Sequence, residues 1–545
     1  MKWRVGAGLL LVFILFFWWR HERLLPEDLI TGHVEAGSVY FPAQNWDTAT
    51  REFIAFTSFG SRILPYRWFL ALEHADGQRL LRDDDVLSEL GFITAPASPL
   101  NPDALPIGFS RDLDNLDPRE WLGLTCAACH TGQIQVNGKD VRLEGGQALI
   151  DYTAFEQALL ASLQLTATDT ARFSRFISRL GMADVDTQPL RDELQQLIAF
   201  FEKRYAINAV EVPYGAGRLD AFGQIFNAIA VEALQQPENI RAPDAPTSFP
   251  VLWDASHMDV VQWNGSAPNI EPGPLFQNAT TALAVYGKVS VNAHERFYPS
   301  SIRLDNLGRI QAHLYQLASP LWPTFAAGDL DAERVGRGEA LYQQHCLECH
   351  TLVDRRKANR QIKAVLTPLD DIGTDRRMAE NFVNARVKTG PLAGKKQWVL
   401  VGSAMPEEAA TLDVVMHVTV GALMKNPWQT FKAIWQEFAF NALPPSHDNR
   451  VYKGRPLNGI WSSAPYLHNG SVPTLYDLLL PPQERPVEFY LGNWDMDVFR
   501  VGLKVDSGSF LFDTRLAGNS NSGHEYGIEL AHADRLALLE YLKSL

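Results

Sequence analysis

Cys-x-x-Cys-His occurs twice, as Cys126-Ala127-Ala128-Cys129-His130 and Cys346-Leu347-Glu348-Cys349-His350, and the two copies use all 4 cysteines of the chain. The spacing is that of covalent c-type haem attachment. There the two thiols add across the vinyl groups and the adjacent histidine becomes the proximal iron ligand. Two other uses of paired cysteines fit less well. A Cys2His2 zinc site sets its histidines a few residues apart and downstream, not fused to the second cysteine. A disulfide-exchange motif belongs to a βαβ context that neither site shows. The sequence therefore predicts two covalently bound c-type haems, on Cys126, Cys129 and His130 and on Cys346, Cys349 and His350.

The chain opens Met1-Lys2-Trp3-Arg4, runs uncharged from Val5 to Trp19, and closes that run with Arg20-His21-Glu22-Arg23. This pattern reads as an export signal. No small-residue cleavage site follows, so residues 1–23 are expected to stay as a signal anchor rather than to be removed. At about 1.5 Å per residue the run is short for a bilayer, and Trp18, Trp19 and the flanking arginines would extend its reach. Haem attachment takes place in an exported compartment, which places the body in the periplasm. The formal net charge is −14, with 46% hydrophobic residues. That balance supports real cores and excludes nucleic acid as a partner, while an acidic surface suits a small basic electron-donor protein.

Residues 24–45 read as a linker, punctuated by Pro26, Gly32, Gly37 and Pro42. Residues 46–325 then form an N-terminal haem domain and residues 326–545 a C-terminal cytochrome c domain. From Asp151 to about Tyr205 the apolar residues recur with helical period, as in Phe155, Leu159, Leu160 and Leu163. Between Pro213 and Pro299 the chain is rich in Gly, Pro, Asn and aromatic residues, as long cofactor-wrapping loops are. Ala332 to His345 reads as a helix running into the second motif. A closing helix from about Ala531 carries Leu536, Leu539, Leu542 and Leu545. The expected fold is mainly α: two cytochrome-c-like haem domains with long loops, behind an N-terminal membrane anchor.

Tyr466-Leu467-His468-Asn469-Gly470-Ser471-Val472-Pro473-Thr474-Leu475, preceded by Asn458-Gly459-Ile460-Trp461, resembles the C-terminal domain of bacterial di-haem cytochrome c peroxidases. That superfamily also holds the enzyme that matures tryptophan tryptophylquinone and the rubber oxygenases. Gln262-Trp263-Asn264-Gly265, with Gly273-Pro274-Leu275 and Asn278, is similar to the family's aromatic-Trp-Asp-Gly segment. Gly518-Asn519-Ser520-Asn521-Ser522-Gly523-His524-Glu525-Tyr526-Gly527 looks most like the rubber oxygenase branch.

The resemblance implies a reactive first haem on His130 and an electron-relaying second haem on His350. It implies His524 as sixth ligand of the second haem, with Met405 as the rival. It implies that Trp263 lies between the haems as an electron relay or as ordinary aromatic packing, and that His468 packs near the second haem without ligating it. Arg218 is expected to pair with a propionate, or with Asp220, beside Phe222, and His257 to act as a hydrogen-bonding or weak distal group. Family peroxidases carry a glutamate a few residues beyond the Asn matching Asn278, where it moves a proton between peroxide oxygens. Here Thr281 stands near that place, and Glu271 is the nearest substitute. A calcium ion, found in some relatives, has no loop pattern to support it.

The expected function is a cytochrome c peroxidase-like oxidoreductase that activates peroxide or O2 at the first haem and takes electrons through the second. The alternatives are a haem dioxygenase cleaving an unsaturated apolar substrate and a non-enzymatic electron carrier.

Overall fold

In the computed structural model, which describes residues 34–36, 38–113, 119–183, 185–436 and 447–545, 40% of the described residues are helical and 17% lie in strands. The protein is mixed α/β, and the expectation of a mainly α fold is overturned. The reason is length. The strands run from 2 to 6 residues, too short for alternation to stand out from loop sequence. The anchor expected at residues 1–23 lies outside the described residues. Among the described residues no helix is long and apolar enough to cross a membrane.

The first sheet has the order β1-β2-β7-β6, made of Val34–Ala36, Val39–Phe41, Lys139–Glu144 and Thr131–Val136 respectively. Residues 34–36 and 39–41, read as linker, thus pair with each other, and β2 lies parallel to β7. β6 starts at the residue after His130. Asn137 and Gly138, both at positive φ, turn it back into β7, as Asn-Gly does in two-residue hairpins. A second sheet has the order β3-β5-β4, made of Leu64–Pro65, Glu120–Leu124 and Phe109–Leu113.

The helical period read from Asp151 to Tyr205 becomes three helices, Tyr152–Thr168, Thr170–Arg179 and Gln188–Ile207. Asp151 caps the first by accepting from Ala154 N, and Asp169 breaks the run and caps the second. Their buried Phe155, Leu159, Leu163, Phe176 and Leu194 pack against Phe69, Phe92 and Phe109 to form one core.

A second core gathers around the helices Ala332–His345 and His532–Ser544. They cross where Gly338 meets the other backbone. A Cβ there would come 2.1 Å from Ala537 O and 2.7 Å from Tyr541 Cβ. Ile134, Val136, Val141 and Leu143 of the β6–β7 hairpin belong to this same core. The strand leaving the first motif is therefore buried against the helices around the second. A third cluster, of Phe226, Ile229, Tyr298, Phe382, Val387, Met405 and Val414, likewise mixes residues from both halves.

Two predictions follow from this packing. Gly338→Ala forces the two helices apart and is expected to cost about 1–3 kcal/mol, read as a lowered unfolding midpoint of the haem-loaded protein. Glu144, buried at the end of β7, has its carboxyl pushed up to about 7 by desolvation, against the pull of Arg142 and Arg51. Its folded pKa exceeds its unfolded value, so the native state holds more protons and stability falls as pH rises from about 4.5 through 7. Glu144→Gln removes that slope, worth on the order of 3 kcal/mol, in unfolding midpoints compared at pH 5 and pH 8.

Candidate functional site

The first motif forms the five-residue helix Cys126–His130, which turns both cysteines and the histidine toward one side. Thr125 fixes its start: its hydroxyl accepts from Ala127 N and donates to Ala55 O. His130 Nδ1 lies 2.8 Å from the carbonyl of Pro250. That bond uses one ring nitrogen, so the other is free to face a metal. The edge of Phe249 packs beside the ring, and desolvation pushes its pKa down to about 4. A neutral imidazole is the form that ligates.

The second motif repeats the device. His350 Nδ1 lies 2.7 Å from the carbonyl of Arg455, and burial lowers its pKa. Facing it is His524, with ring centres 6.3 Å apart. Metal–nitrogen bonds of about 2 Å on both sides of an iron set ring centres about 6 Å apart. Burial, then His350 and Arg485, lower the pKa of His524 to about 3, and its Nδ1 is buried without a hydrogen-bond partner. Met405, the rival ligand, packs in the separate apolar cluster with Tyr298 and Phe382. The structure brings His524, not Met405, to His350.

His524 is held in the left-handed region, at φ 49°, which costs a non-glycine residue about 1–3 kcal/mol. Its loop is over-determined by Arg485. That buried guanidinium donates to the carbonyls of Leu478, Leu480, Asn521, Gly523 and His524. Gly523 lies so close to Gly373 that a Cβ would meet its carbonyl carbon at 2.2 Å.

Between the two histidines opens a cavity of about 240 Å³. Cys346, Cys349, Leu475, Leu478, Leu479, Leu538 and Leu542 line it, with Lys453 and Arg455 as its cationic side chains. Desolvation lowers Lys453 to about 7 and Arg455 to about 10. Cationic groups in an apolar wall fit the acid groups of a porphyrin, which has an apolar body and anionic edge. The residues present thus fit a covalently held haem: two thiols, two opposed imidazoles, apolar walls and anion-binding cations.

Trp263 lines the same cavity, its ring 6.5 Å from that of His468, and donates from Nε1 to Ser248 O at 3.3 Å. Ser248 is two residues from Pro250, so the indole lies between the supports of the two motifs. His468 is buried, stacked on Tyr452 at 4.1 Å, and faces the cavity. Arg218 is fully buried and donates to Tyr214 O and Asn519 Oδ1, while its Nε has no partner. Burial, then Arg218, lowers the pKa of His468 to about 3. Asp220 instead caps the helix Ala221–Asn227 and also accepts from Ala245 N, with its carboxyl raised to about 6 by burial. Phe222 packs on Phe382.

The remaining residues lie apart. His257 is buried with both ring nitrogens on carbonyls, of Arg360 and Tyr315, which leaves it none for a metal. Asn278 donates to Gln311, which donates to Ser256. Thr281 is exposed and its hydroxyl bonds back to Gln277 O. Glu271 is half-buried beside Pro272. Sequence reasoning passed over Lys453, Arg455 and Arg485. The first two carry a signal, two cations just ahead of Asn458-Gly459-Ile460-Trp461. Arg485 carries none, since all its partners are backbone carbonyls.

Residues 451–490 match the family described as RoxA-like, cytochrome c-like. The match covers Lys453, Arg455, His468, Leu475 to Leu479 and Arg485, one wall of the cavity and the clamp on the His524 loop. Over that segment the chain is thus similar to RoxA-like, cytochrome c-like domains, which fits c-type haem in this cavity. It is similar to the uncharacterized protein y4iJ of Sinorhizobium fredii (strain NBRC 101917 / NGR234), 31% identical over 96% of each chain. The uncharacterized protein y4iM of the same organism is 25% identical over 61% of this chain and 71% of its own length. The chain belongs to the family of y4iJ.

His524→Ala is expected to turn the six-coordinate, low-spin optical and EPR signature of the iron on His350 high-spin, with haem content unchanged. Met405→Leu, a volume-conserving swap, is expected to leave that signature as it is. The reverse pattern would make methionine the ligand.

Proposed function

We propose that the protein is a di-haem c-type oxidoreductase that activates O2 at the site of His130, with an unsaturated apolar compound as its substrate. The observation that carries this reading is the opposition of His350 and His524 at 6.3 Å. It closes the second site to small ligands, whereas His257, the histidine weighed as a partner for His130, has both nitrogens engaged elsewhere. Bound haem supplies ligand exchange and one-electron chemistry at each iron. The protein's own residues orient that chemistry. Pro250 O and Arg455 O fix the proximal rings, Arg485 holds His524 in place, and apolar walls exclude water. The RoxA-like match favours the oxygenase reading.

A second reading, peroxide reduction, is favoured by one observation. Trp263 lies against the second cavity and is bonded to the segment that supports His130. That is where an electron relay between the sites would lie. In that reading the donor is a small basic protein in the same exported compartment. It would dock where exposed Glu348, Asp371 and Glu525 surround Tyr526 at the cavity mouth.

Stopped-flow optical spectroscopy of the fully loaded, reduced protein tests both. CO is expected to bind one iron of the two. Mixing with O2 should alter that same iron's spectrum, with slow consumption of peroxide. Rapid oxidation of both irons by peroxide, with repeated turnover, would support the second reading. In that case Trp263→Phe should slow electron exchange about tenfold, about 1.4 kcal/mol in barrier. No CO uptake would sink both and leave an electron carrier.

A further inference from the structure

The two motif histidines are supported by carbonyls of different segments, and Arg455 bridges those segments directly. Arg455 gives its carbonyl to His350 Nδ1 at 2.7 Å. Its guanidinium donates to Val251 O at 3.1 Å and to Trp253 O at 2.9 Å. Val251 follows Pro250, whose carbonyl receives His130 Nδ1. A second lace runs beside it. Fully buried Trp253 donates from Nε1 to Asn458 O at 2.8 Å, and Asn458 Nδ2 donates to Val353 O, three residues past His350.

We propose that Arg455 is a positioning residue for both iron sites, and that through it the oxidation state of one iron alters the ligand field of the other. The inference rests on the two-haem reading. The strength of the Nδ1–H to carbonyl bond sets how basic a ligating imidazole is. An iron that gains an electron draws less density from its histidine, so Nδ1–H becomes a poorer donor and the bond to the carbonyl lengthens. At His350 that carbonyl belongs to the residue whose side chain is bolted to the 250–253 segment. A shift of the Arg455 backbone is therefore passed, through two charge-assisted hydrogen bonds in a rigid buried setting, to the peptide that holds His130. The simpler role for a cation in this wall is to neutralise a haem acid group at the second site. That role predicts an effect at the second site alone.

The test uses the full-length, haem-loaded protein, with haem counted first by mass and by pyridine haemochrome. Fewer than two haems overturns the two-haem reading and the proposal with it. In the wild-type protein poised half-reduced, the EPR spectrum of the remaining ferric iron is expected to differ from its spectrum in the fully oxidised protein. Identical spectra overturn the coupling while leaving the two-haem reading intact, and this holds whether or not any variant folds. Arg455→Gln is expected to shift the midpoint potentials of both irons and to abolish the half-reduced difference. Arg485→Gln, at the His524 loop, should shift only the second. Arg455→Lys keeps the charge but cannot serve both carbonyls from a planar fork, so it should behave as Arg455→Gln does. If Arg455→Lys behaves as wild type, or Arg455→Gln moves only the second potential, Arg455 is a charge partner of one haem and the coupling is wrong.

Discussion

A buried imidazole has two nitrogens, and a protein that wants one of them aimed at a metal must satisfy the other. This fold meets that demand twice with backbone carbonyls, of Pro250 for His130 and of Arg455 for His350. The choice has structural consequences. A carbonyl can be aimed only by fixing the backbone on either side of it. The segments 248–253 and 452–458 are accordingly laced to each other and to their surroundings. Ser248 O takes the Trp263 indole, Ser248 N bonds His468 O, and Trp253 reaches Asn458. Pro250 lies in irregular backbone, so its carbonyl is not used up internally as a regular helix would have used it.

The opposite face of the second site follows another logic. His524 arrives on a loop of Gly, Asn and Ser with little core of its own, in a backbone conformation that disfavours it. One arginine offsets that. Five carbonyls converge on Arg485, and its burial with every donor engaged is the arrangement in which a guanidinium is least costly to desolvate. Strain at a ligand and over-determination around it belong together.

Much of this was legible in the chain and some was not. The motifs announce their cysteines and proximal histidines through spacing alone. The flanking helix Ala332–His345 and the closing helix His532–Ser544 show their period plainly. His524 was legible only through its resemblance to a known loop, because nothing in Gly523-His524-Glu525 says which cavity it reaches. The hairpin at Asn137-Gly138 carries a turn signal, but its short strands carry no alternation long enough to mark the strand content. Arg455 and Arg485 were out of reach for a physical reason: their partners are main-chain oxygens, which every residue has and no pattern marks. Thr281 was placed by analogy with a glutamate, and the structure leaves it exposed with its hydroxyl returned to its own helix.

The hairpin that leaves the first motif carries a consequence for the order in which the protein is made. Ile134, Val136, Val141 and Leu143 emerge from the ribosome about 200 residues before the first of the two helices they pack against and about 400 before the second. Until those helices arrive, the hairpin has an uncovered apolar face, and the loops that support His130 lack Arg455 and Asn458. The surroundings of the first motif are therefore complete only when the C-terminal half has packed against them. The half that is made first is finished last.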